Sequence, residues 1–178
     1  MSEAADKLVE RAQQARREKR LADAREDWLA AIELLRRDND GEPLGQALRA
    51  LGELERKLGD SVNARTHYEE AVALCRKHGD ALRLAHTVRH LGDVYHDAGR
   101  ADLAESCYEE ALTLYRGLAN PPALDAANAI RSMAVLKEEA GERQQARSLW
   151  NEARELYMAV EVEAGVAEST ARLARLAE

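Results

Sequence analysis

Along the chain, alanine is followed four residues later by a large aromatic at Ala24/Trp28, Ala64/Tyr68, Ala104/Tyr108 and Ala146/Trp150, in steps of 40, 40 and 42 residues. A second alanine lies three residues beyond each ring, at Ala31, Ala71, Ala111 and Ala153, and then a leucine at Leu34, Leu74, Leu114 and Leu156. Spacings of three and four place these side chains on one face of a helix. Upstream of each such helix runs a second apolar pattern. It carries Leu51-Gly52 and Leu91-Gly92, answered by Gly59 and Gly99, and in the fourth unit Met133-Ala134, answered by Gly141. Glycines 59, 99 and 141 end apolar-periodic segments and precede polar residues, the place where a left-handed backbone closes one helix before the next begins. Each unit therefore reads helix, turn, helix.

The small residues have a packing role. Helix axes come within about 8 to 9 Å only where the side chains at the crossing are small, and Ala64, Ala104 and Gly92 supply that condition. The aromatic one turn further on fills the gap, burying about 150 to 250 Å². No single unit can hide its apolar face alone, so the units must stack. The first unit departs most, with Arg11-Ala12 in place of Leu-Gly and Lys19 in place of the turn glycine. Before the fourth unit two residues are added at Asn120-Pro121-Pro122, where Asn120 is expected to cap and Pro121 to start the next helix. Leu173-Ala174 recurs 40 residues after Met133-Ala134 and predicts a capping helix over residues 165–177.

Composition sharpens the class. Phenylalanine is absent, aromatics total 4%, and 46% of residues are apolar, mostly alanine and leucine, both strong helix formers. With three prolines, the chain predicts an all-α protein of long helices and short turns. The net charge of −7 argues against nucleic acid as the main partner, because phosphate-binding surfaces carry a basic excess. Residues 1 to 20 hold no apolar core of a signal peptide, and nowhere do eighteen apolar residues run together, so a cytoplasmic protein with no membrane partner is expected. Cys75 and Cys107 sit inside apolar helical patterns and read as buried free thiols. No phosphate-binding loop, dinucleotide fingerprint or nucleophile elbow is present, and no cofactor or catalytic residue is predicted.

These residues resemble the tetratricopeptide repeat, whose signature is W-x2-L-G-x2-Y, then A-x3-F, then proline. Gly92 and Tyr95 reproduce the G-x2-Y element and all four Ala-x3-aromatic elements are present. Arg76, Arg116 and Met158 replace the terminal proline, so the helices are expected to run on past that point. A period near 40 is similar to the long-repeat variety of kinesin light chains and bacterial quorum-sensing receptors, families that bind peptides. The resemblance implies one domain over residues 1–178: a right-handed α-solenoid of antiparallel helix pairs, with repeats at approximately 3–40, 41–80, 81–120 and 121–162 and the capping helix at the end. It also implies a protein or peptide partner held on the concave side, which the first helix of each pair lines.

By helical phase from Gly52, Gly92 and Ala134, the inward positions are Gln46, Arg49, Glu53 and Arg56 in the second unit, then His86, Arg89, His90 and Asp93, with His96 and Asp97, in the third. The fourth contributes Asn128 and Arg131, with Val135 and Glu138. Arg49, Arg89 and Arg131 share one phase and predict a ladder suited to a carboxylate, since a guanidinium makes bidentate, charge-assisted bonds to it; alternatively they pair with nearby acids such as Asp93. The family's carboxylate clamp, a lysine and asparagine one turn apart, is replaced by Arg49 and Glu53. His86 and His90 have the i, i+4 spacing of a zinc pair, but no glutamate follows the first, and the pair reads as a polar wall. Arg16-Arg17-Glu18-Lys19-Arg20 reads as the basic end of a helix, offsetting its dipole. Two further readings are a self-assembling scaffold, with a second copy as the partner, and a peptide-responsive regulatory subunit.

Overall fold

The computed structural model describes residues 2–38 and 41–177. Among them are nine α-helices and no strand: α1 Glu3–Arg17, α2 Leu21–Arg37, α3 Gly41–Lys57, α4 Ser61–His78, α5 Ala81–Asp97, α6 Ala101–Gly117, α7 Ala123–Glu139, α8 Arg143–Ala159 and α9 Glu163–Arg175. The second helix of each of the last three pairs does run past Arg76, Arg116 and Met158, by one or two residues. The helices fall into two compact units, Met1–Asp80 and Ala81–Glu178.

In the first unit α1 packs on α2, α3 on α4, and α2 on α3. Its core joins Ala5, Ala12, Ala15, Ala24, Trp28, Ile32, Leu35, Leu48 and Leu51. Alanines at 12, 15 and 24 leave room for the large ring at 28, the division of small and large residues that close crossing requires. A charge is buried here as well: Glu55 is 1% exposed and accepts from Arg25 Nε at 2.7 Å. The pair ties α3 to α2.

In the second unit α5 packs on α6, α6 on α7, α7 on α8 and α8 on α9. Tyr108, Tyr115, Ile130, Met133 and Tyr157 fill its core between Ala85, Ala104, Ala111, Ala127 and Ala153. Gly92 is required by close approach, since a Cβ there would lie 2.6 Å from the Tyr108 ring. Gly52 stands in the same relation to Tyr68 in the first unit, at 2.9 Å.

Five turns share one closure. At Gly59, Gly99 and Gly141 the backbone is left-handed, with φ of 82°, 70° and 76°. The following amide reaches back five residues, from Asp60 to Glu55, Arg100 to Tyr95 and Glu142 to Lys137, each at 2.9 Å. Lys19 at φ 61° and Glu161 at φ 56° adopt the same conformation with side chains attached, and Arg20 and Val162 make the same five-residue bond. Sequence alone identifies the glycine closures but not the one at Glu161.

Two boundaries differ from expectation. Helix α7 starts at Ala123 with Pro122 as its cap, in extended conformation at ψ 112°, so Asn120 does not cap it and Pro121 does not start it. A proline disfavours helical geometry in the residue before it, and Pro122 therefore keeps Pro121 out of the helix. The last helix covers Glu163–Arg175 rather than 165–177, because the closure at Glu161 ends α8 and lets the next helix restart at once. Cys75 is buried and Cys107 half-buried, and neither forms a disulfide.

Candidate binding surface of the first helices

In the first unit the four sequence-predicted residues lie along α3. Gln46 is exposed, and Arg49, Glu53 and Arg56 are half-buried. Glu53 is held by Arg16 Nη1 at 2.9 Å and Lys57 Nζ at 2.6 Å. Burial works to raise its pKa, but Lys57 and Arg16 outweigh it and keep the carboxyl below the usual range. Beside this pair, α1 and α3 border a hollow of about 370 Å³ lined by Arg16, Arg17, Gln46, Arg49, Ala50 and Trp28. Trp28 is 3% exposed. Its Nε1 is buried with no hydrogen-bond partner among the described residues.

In the second unit the predicted residues form a connected polar layer. Asp93, 12% exposed, is its centre. One carboxylate oxygen accepts from the hydroxyls of Tyr108 at 3.0 Å and Ser132 at 3.1 Å. The other accepts from Arg89 Nη1 at 3.2 Å, and His90 Nδ1 lies 3.4 Å from it. Three helices, α5, α6 and α7, thus meet at one acid. Arg89 is 9% exposed, and its Nη2 lies 2.5 Å from His90 Nε2. As a donor, the guanidinium requires that nitrogen to accept, which puts the proton of a neutral imidazole on Nδ1. The rings of His86 and His90 meet edge to face, centroids 4.6 Å apart.

On α7, Arg131 makes a two-point bond to Glu168 of α9, Nε at 2.6 Å and Nη2 at 2.8 Å. That hydrogen bonding outweighs burial and raises the arginine pKa. Asn128 Oδ1 accepts from the Tyr157 hydroxyl at 2.8 Å, whose pKa is raised, first by burial. His96, one step further along α5, pairs with Glu139 at 2.6 Å. Arg89 is therefore an under-layer residue that fixes Asp93 and His90, whereas Arg131 displays its fork toward a carboxylate that the chain itself supplies.

Helix α9 contributes more to this surface than a cap. Glu138 accepts the Trp150 indole N–H at 3.1 Å and also meets Arg172 at 3.3 Å and Arg175 at 3.2 Å. The Arg172 guanidinium lies over the Trp150 ring, 5.5 Å from its centroid. Sequence reasoning missed Glu168, Arg172 and Arg175, and also the hollow at Trp28. The signal that finds both is the register between the first and last repeats, in which Trp150 follows Trp28 by 122 residues.

Paired helices, alanine-for-ring packing and a polar face on the first helices define a helical repeat protein of the α-solenoid class. The sequence matches the family model for the tetratricopeptide repeat at residues 3–77 and 81–159. The chain belongs to the tetratricopeptide repeat family, whose members generally mediate protein–protein interactions and are typically not enzymes. Its fold is similar to that in the crystal structure of BtubC (BKLC) from P. vanneervenii, with a TM-score of 0.81 and 18% sequence identity. The likeness covers 88% of this chain and 64% of that one, so this chain spans less than two thirds of that protein's length. No curated protein matches the sequence. Among the described residues, no helix is long and apolar enough to cross a membrane.

Proposed function

We infer that this protein is a binding module, an adaptor without catalytic chemistry of its own, which holds an acidic peptide or protein segment on the face of its first helices. The observation that carries this reading is the Arg131–Glu168 bond: the face already takes a carboxylate from a neighbouring helix into a guanidinium fork, the geometry that favours arginine for such recognition. Gln46, Arg49, Glu53 and Arg56 form the contact set on α3. On α5 and α7 His86, His90, Asn128 and Arg131 contact the partner, while Arg89 and Asp93 hold them in position. The compartment is the cytoplasm, where thiols such as Cys75 and Cys107 remain reduced.

The test is affinity capture from lysate with wild type and Arg49→Glu, followed by truncation of each captured protein to its binding segment. The expected segment is rich in aspartate and glutamate, and its affinity falls as salt rises, as screening requires. Segments without acidic residues, or equal capture by the variant, would sink the assignment.

A further inference from the structure

The first and last repeats are built on the same register, and comparing them exposes an empty place. Trp28 and Trp150, Ala24 and Ala146, and Ala12 and Ala134 are each separated by 122 residues. At the same separation, Glu53 corresponds to Arg175 and Arg16 to Glu138. Both pairs form ion bonds, Arg16–Glu53 at 2.9 Å and Glu138–Arg175 at 3.2 Å, with the charges exchanged. Around Trp150 the niche is filled: Glu138 accepts the indole N–H and Arg172 covers the ring. Around Trp28 the residue in register with Arg172 is Ala50, and the hollow of about 370 Å³ lies there instead. Arg16 replaces the accepting glutamate, and a donor cannot satisfy a donor. The Trp28 Nε1–H is accordingly left without an acceptor among the described residues, a state that proteins rarely tolerate in a buried group.

We propose that the hollow beside Trp28 is a subsite for a glutamate side chain of a bound acidic peptide, whose carboxylate accepts the indole N–H and is neutralised by Arg16, Arg17 and Arg49. This rests on the proposed function and names a point of contact within it. Charge complementarity selects the occupant. Three arginines line a hollow whose other walls include Trp28, Ala47, Ala50 and Val9, so a carboxylate on an aliphatic stem matches both parts. Glutamate is the residue that performs this task for Trp150 in the last repeat. Entry requires Arg16 to swing aside, and as a side chain 41% exposed it has solvent to move into.

The experiment follows the two indole N–H resonances of the full chain by NMR. The probes are acetylated, amidated decapeptide pools with glutamate fixed at the fifth position, against the matched glutamine pool and a glutamine pool with a free C-terminus. The glutamate pool is expected to move the Trp28 resonance downfield at about a tenfold lower concentration than either glutamine pool, as for a charge-assisted bond. Trp150 stays in place. Ala50→Leu, which fills the hollow without changing charge, removes the response while the melting curve is retained. Equal response to the amidated glutamine pool overturns the subsite. A response confined to the free-terminus pool overturns it too, by assigning the hollow to a chain end. Glutamate peptides that bind and leave Trp28 unmoved refute the subsite while the acidic-peptide reading stands; peptides that bind nowhere refute both.

Discussion

Arg131 and Glu168 are joined by two parallel hydrogen bonds, 2.6 and 2.8 Å long, that fasten the middle of α7 to the middle of α9. Glu168 also lies 3.8 Å from Arg172 of its own helix. Both side chains are partly solvated, so the bond is worth less than a buried pair. Glu168→Gln is expected to lower stability by about 1 kcal/mol, with hydrogen exchange rising in α9 and not in α5 or α6. Uniform change across the second unit would show that the pair does not act locally.

The approach of Tyr108 to Gly92 leaves no room for a methyl group. Gly92→Ala should cost about 1 to 3 kcal/mol through overpacking. Gly117 gives the control: a Cβ there meets nothing within 4 Å, and Gly117→Ala is expected to be neutral or slightly stabilising. Thermal melts of the two variants check the contrast.

Lys19 holds at φ 61° a conformation that Gly59, Gly99 and Gly141 take without a side chain. The left-handed region costs a residue with Cβ about 1 kcal/mol or more. Lys19→Gly should recover about 1 kcal/mol, less what the freer unfolded chain takes back. Gly99→Ala should lose a similar amount. Equal denaturation midpoints for wild type and Lys19→Gly would contradict the account.

His67 on α4 is half-buried, and its Nδ1 has no partner among the described residues. Burial lowers its pKa against the opposing pull of Glu55 and Glu70, with Arg36 and Arg25 adding to the fall. The unfolded histidine titrates near about 6.5. Above that pH the ring is neutral in both states and this stability is fully present. As pH falls below it, the unfolded chain takes a proton that the folded one resists, and stability is lost until the folded pKa is passed. His67→Gln should therefore show a shallower loss of Tm from about pH 7 to about pH 5. Parallel curves for the two proteins would rule this out.

Spacing alone located the helix pairs because Ala24/Trp28 and its three counterparts obey helical geometry strictly, and close packing leaves such positions few alternatives. Phase says which way a side chain points and not how deep it lies. Arg89 was legible as inward-facing, yet its burial against Asp93 depends on Tyr108 and Ser132, which arrive from α6 and α7. Asn120 is misleading because its capping propensity is overridden by the constraint that Pro122 places on Pro121. The hollow at Trp28 was present in the sequence as Arg16 against Glu138 and Ala50 against Arg172, but those differences acquire meaning only once the ring and its missing acceptor are seen.

The sockets at Gly52 and Gly92 have a consequence for how such a chain is inherited. In each, the ring and the glycine that admits it come from the two helices of a single pair, Tyr68 with Gly52 and Tyr108 with Gly92. A duplicated stretch of one period carries both halves of its own socket. Lengthening by whole pairs therefore leaves these two sockets intact, whereas a cut between the two helices of either pair orphans a ring. Recombination between these pairs spares both sockets, and recombination within either pair breaks one.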